Sequence, residues 1–90
     1  MRLVPRPLWI AQLHWSAAVA QKLASKHGWR QHDVQDVLVC QSGLRAREDR
    51  DSSRGLRLLV ECTIDGRSAV AVLRPTGDVD VFRLVTVFPL

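Results

Sequence analysis

Tyrosine is missing from this chain of 90 residues, and cysteine occurs only twice, at Cys40 and Cys62. The two cysteines form no CxxC, and no histidine stands at zinc-ligand distance from them, which argues against a paired-cysteine zinc site. Both lie in apolar runs, which reads as buried free thiols of a cytosolic protein rather than a disulfide. No apolar run approaches the roughly 20 residues that span a bilayer. Pro5, Arg6 and Pro7 make the N-terminus a poor signal peptide. A cytoplasmic location without membrane contact is therefore expected. Glycine-rich phosphate loops, GxSxG and HExxH are absent, as are internal repeats, so no chemistry written in those motifs applies. Neither a metal nor a cofactor is called for.

Against those absences stands an excess of one charge. The formal charge is +4, and the basic residues are almost all arginine, with lysine only at Lys22 and Lys26. The planar guanidinium fork suits phosphate, so an anionic partner such as nucleic acid is favoured over an acidic small molecule. A chain of this length makes one domain, residues 1–90, with a single and marginal core.

Three strands occupy the last third. Leu56 to Ile64 ends at Asp65-Gly66, a strong hairpin signal; Arg67 to Arg74 ends at Pro75-Thr76-Gly77-Asp78; Val79 to Phe88 is rich in β-formers. A two-residue loop at Asp65-Gly66 sets Cys62 opposite Ala69, Val60 opposite Ala71 and Leu58 opposite Leu73. If the second turn joins Arg74 to Val79, Phe82 and Leu84 share that apolar face. Glu61, Val70 and Arg83 then form one row on the other face, a row that a slip in register would break.

Upstream, residues 1–7 read as an extended lead-in because of Pro5 and Pro7. Leu8 to Trp15 reads as a strand joining the later sheet. Ser16 is a natural N-cap for a helix over Ala17 to Lys26, with Val19/Leu23 and Ala20/Ala24 as its buried stripe and Gly28 as its stop. A second short helix spans about Gln31 to Cys40, with Trp29 in the core between the two. Together the helices form a lid on the apolar face. Residues 41–54 read as a polar loop in which Arg45, Arg47, Arg50 and Arg54 alternate with Glu48, Asp49 and Asp51. Such arginines can track a phosphate backbone, although the interleaved acids also fit plain solvation.

The stretch Leu13-His14-Trp15-Ser16-Ala17-Ala18 through Lys26-His27-Gly28-Trp29 resembles the opening of the BrnT toxins, with His14 and Ser16 in place of the family's acid and aspartate. Gln31 to Leu38 resembles its second helix, and Val81-Phe82-Arg83-Leu84-Val85-Thr86 its last strand. The resemblance covers roughly residues 9 to 88. The ending Val85-Thr86-Val87-Phe88-Pro89 is closer to other RelE- and barnase-related toxin domains, and the family's C-terminal helix has no counterpart here. The resemblance implies an α+β, RelE-like fold: an N-terminal strand, then two short helices on one face of an antiparallel sheet ending in the meander. It implies an endoribonuclease toxin neutralised by an antitoxin protein and acting on RNA, free or on the ribosome; an oligomer is left open. By residue, only Lys26, His27 and Arg83 carry over.

Metal-free RNA cleavage needs a base for the ribose 2′-OH, cations for the developing phosphate charge and an acid for the leaving oxygen. Glu61 is the candidate base, with a structural Glu61–Arg83 ion pair as the competing reading. Arg57, Arg74 and Arg83 would hold phosphate, with Arg45, Arg47 and Arg54 as further RNA contacts. His27 or Lys26 would be acid or base, although helix capping accounts for both; His14 and His32 have weaker claims. The rival is a non-catalytic module of the same fold whose open face docks a protein or nucleic acid.

Overall fold

The computed structural model describes residues 5–90. Its elements are β1 (Arg6–Pro7), β2 (Gln12–His14), α1 (Ala17–His27), α2 (Gln31–Leu38), β3 (Arg45–Asp51), β4 (Gly55–Ile64), β5 (Arg67–Pro75) and β6 (Val81–Pro89). The strands form one sheet in the order β1-β3-β4-β5-β6-β2, curled under two helices on one face. β2 runs parallel to β6 while every other pair is antiparallel, so the sheet is mixed rather than wholly antiparallel as expected.

The Asp65-Gly66 turn behaves as its sequence dictates. Both residues take positive φ, 50° and 75°, the backbone that a twisted two-residue hairpin requires. The pairs Leu58–Leu73, Val60–Ala71 and Cys62–Ala69 follow directly. Period two then puts Leu58, Val60, Ala69, Ala71 and Leu73 under the helices, all fully enclosed.

The second turn departs from expectation. The strands run on to Pro75 and resume at Val81, and Thr76 Oγ1 closes the loop by donating to the Val81 carbonyl at 2.8 Å. Arg83 consequently pairs with Arg74 instead of Val70. A displacement of four residues is even, so Phe82, Leu84 and Arg83 keep the faces assigned to them while their rows change. Between Val72 and Leu73 the register slips once more: Val72 faces Thr86 and Leu73 faces Leu84, leaving Val85 as an extra, bulged residue. Beyond that bulge the parity flips. Val87 enters the core, and Phe88 takes the open face opposite Val70.

The helices form for local reasons. Ser16 Oγ accepts the Val19 amide at 3.1 Å, and Gly28 ends α1 at φ 69° with its N–H on the Ala24 carbonyl at 3.0 Å. α1 runs one residue past Lys26, to His27, and of its expected stripe only Leu23 is fully buried. α2 is shorter than expected, ending at Leu38, and it buries Val34 and Leu38. Trp29 lies in the core, 1% exposed, and the Arg67 guanidinium stacks 3.9 Å above its ring.

Further expectations are revised. Half of the polar stretch 41–54 is strand β3, whose charged residues flank a single enclosed apolar side chain, Ala46; its backbone bonds to β4 do what its apolar content cannot. The lead-in partly pairs as well, Arg6 with Ala46, whereas residues 1–4 of that reading lie outside the described residues. Of the expected strand Leu8 to Trp15, only Gln12–His14 pairs. Cys40 is exposed rather than buried, and Cys62 is half-buried, with desolvation pushing its thiol pKa up; both are free. No helix among the described residues is long and apolar enough to cross a membrane.

Leu58→Ala should cost about 2–5 kcal/mol in urea unfolding, whereas Val79→Ala, at a site 87% exposed, should stay within about 0.5 kcal/mol. Similar losses at both would show that the helices do not seal the sheet. Under brief alkylation, Cys40 should label well before Cys62; the reverse order, read by mass spectrometry, would contradict these burial assignments.

Candidate phosphate-binding face

The sheet face opposite the helices is uncovered, and strand register arranges its side chains in rows. Arg74 lies directly opposite Arg83, and Arg83 is registered with His14 on the parallel strand β2. One step beyond the Leu58–Leu73 pair, Arg57 projects onto the same face beside Arg74. The row therefore reads Arg57, Arg74, Arg83, His14, and its far end is neutralised by Asp49, which pairs with Arg57.

No such neutralisation reaches the other three. Among the described residues, Arg74, Arg83 and His14 have no carboxylate within 4.0 Å. Arg74 Nη1 donates to the Arg54 carbonyl at 2.7 Å, which aims the guanidinium and leaves its charge uncompensated. Like charges directly opposite one another on adjacent strands destabilise a sheet. A groove of about 660 Å³ runs from these side chains to the start of α1, with Trp15, Val19 and Val85 as its apolar wall and no acidic residue in its lining.

Glu61 sits elsewhere. Its row continues to Val70 and Phe88, four residues along the sheet from the arginine row, or about 13 Å at strand rise. The expected Glu61–Val70–Arg83 row does not form, because the longer second turn moves Arg83 to the other end of β5. Among the described residues, the cation paired with Glu61 is Arg47, at 3.9 Å, and both side chains are at least half exposed. Such a pair contributes about 0–1 kcal/mol and sets no special chemistry. Arg45, Arg47 and Glu61 rim a second hollow of about 450 Å³, floored by Leu59, Val70 and Phe88.

Lys26 and His27 end α1, on the helical side of the sheet, away from the open-face rows. The His27 carbonyl accepts Arg67 Nη2 at 3.0 Å, and its ring lies 6.5 Å from Trp29, so helix termination explains this corner. Arg54 lies in the β3–β4 turn, which Asp51 organises by accepting both Ser53 groups at 2.8 Å and the Arg54 amide at 3.2 Å. Those Ser53 bonds, then the Arg54 amide and charge, hold the Asp51 carboxyl below its ordinary pKa.

The structure thus brings Arg57, Arg74 and Arg83 together, and it leaves Glu61, His27 and Lys26 in separate places. His14 is the residue whose position the sequence understated. Its place follows from a three-residue parallel pairing with a strand some seventy positions away, and alternation at Gln12–His14 was the only local signal. Among the described residues, no cluster of His, Cys, Asp and Glu is suited to hold a metal. Comparison with protein-family models, curated proteins and solved structures finds no match for the chain.

Arg83→Gln should raise stability slightly at low salt by relieving repulsion from Arg74, by about 0.2–1 kcal/mol, and the gain should vanish in high salt. Destabilisation at low salt would mean that Arg83 has a stabilising partner in the fold.

Proposed function

We propose that this protein binds RNA through its open sheet face, with Arg74 and Arg83 gripping the phosphate backbone. One observation carries the reading: two arginines face each other without a carboxylate, beside His14, in a groove with no acidic lining. An anion between them converts repulsion into charge-assisted, bidentate hydrogen bonds. Exposed Phe88, with half-buried Leu59 beside it in the hollow farther along this face, offers unpaired bases an apolar surface. Arg45 and Arg47 add positive charge at the rim of that hollow.

A second reading, metal-independent cleavage, is favoured by His14. Neutral His14 would take the 2′-OH proton as the 2′-oxygen attacks phosphorus. Arg74 and Arg83 would hold the charge that develops on the phosphate, and the 5′-oxygen would leave with a proton from water or from protonated His14. In this version the base is His14, and Glu61, four residues along the sheet from the arginine row, takes no part. The RelE-like fold and control by an antitoxin, implied by the BrnT resemblance, belong to this fuller proposal.

Labelled single-stranded RNA should be retarded by the protein at low salt, and Arg74→Ala with Arg83→Ala should weaken binding at least tenfold. Glu61→Gln should change it little. In EDTA, cleavage bands that disappear in His14→Ala but persist in Glu61→Gln would support the catalytic reading. Intact RNA would remove that reading and leave binding, while unretarded RNA would overturn both.

A further inference from the structure

We infer that the groove at the His14 end of the arginine row recognises a nucleotide phosphomonoester, whether at the end of an RNA strand or free. This rests on the reading that Arg74 and Arg83 bind phosphate. Three features point to an end group rather than to a passing backbone link. First, the row stops here: β2 is the last strand of the sheet, and the chain turns from His14 through Trp15 and Ser16 into α1, which bounds the groove. Second, the charge fits. A diester phosphate carries one negative charge, but a monoester carries close to two at neutral pH. Arg74 and Arg83 converge without an acid to share, two positive charges to meet the two of a monoester, and His14 beside them offers a further hydrogen-bonding group. Third, the size fits. At about 660 Å³ the groove is of small-molecule scale. Its apolar side, Trp15, Val19 and Val85, can take the face of one base, and Val85 is presented there by the bulge in β6.

The opposite end of the row lacks these properties. Arg57 is occupied by Asp49, and β3 and β1 continue the sheet beyond it. A strand lying across the face would accordingly run with its phosphorylated end toward His14.

The test uses four probes on the intact protein: one short single-stranded RNA with a 5′-phosphate, with a 3′-phosphate or with neither, and a free nucleoside monophosphate. Affinities are read by competition at fixed salt. One phosphorylated end should bind about tenfold tighter than the hydroxyl-ended strand, the worth of one added charge-assisted contact. That preference should disappear in Arg83→Gln and in the milder Arg83→Lys, which keeps the charge and loses the fork. A free monophosphate that competes as well as the phosphorylated strand would identify the free nucleotide as the ligand. Equal affinity for all three strands would overturn the inference and leave RNA binding intact. Binding of the monophosphate with no strand bound would instead remove the RNA reading and keep the groove's assignment. No binding by any probe would end both.

Discussion

The two-residue turn at Asp65-Gly66 is the constraint on which the rest depends. Because both residues adopt positive φ, β4 and β5 can meet in only one register, and a slip of one residue would exchange core and solvent along β5 relative to β4. That register makes one face apolar enough to need two helices. It also puts Arg57 and Arg74 side by side on the other face. Packing and electrostatics here are two outcomes of a single hairpin.

The second hairpin shows how far the same reasoning reaches. Pro75, Gly77 and Asp78 announced a reversal correctly, but turn residues mark a position more firmly than a loop length. An even displacement preserved the faces of Phe82, Arg83 and Leu84, so the core was legible even though the row containing Arg83 was not. The bulge at Val85 had no local signature at all. It arises where β6 must satisfy both Leu73 and Val72 across a twisted sheet, and it decides that Val87 is buried while Phe88 is open. Strand β3 was hidden for a different reason. Its charged residues leave no apolar alternation to read, and only pairing with β4 makes it a strand.

The candidate site was legible in its residue types and not in its grouping. Arginine on an open sheet face was apparent from Arg57, Arg74 and Arg83. Which of them stand together depends on the second turn and on a parallel pairing between Gln12–His14 and Val81–Arg83, the kind of non-local contact that a local pattern does not encode. Lys26 and His27 attracted a catalytic role through resemblance. In the fold they end a helix whose stop is explained by Gly28, by Arg67 on the His27 carbonyl and by Trp29 beneath. The face on which two arginines meet without a carboxylate is therefore the one that the sheet, rather than the helices, presents.

The most direct test of that claim is amide chemical-shift mapping of the labelled protein with a short single-stranded RNA at low salt. The account predicts that the largest perturbations cluster at His14, Trp15, Arg74, Arg83 and Val85, fade along the sheet toward Glu61, and collapse as salt is raised. Perturbations centred instead on Lys26 to Trp29, or confined to Arg45, Arg47 and Arg54, would contradict it.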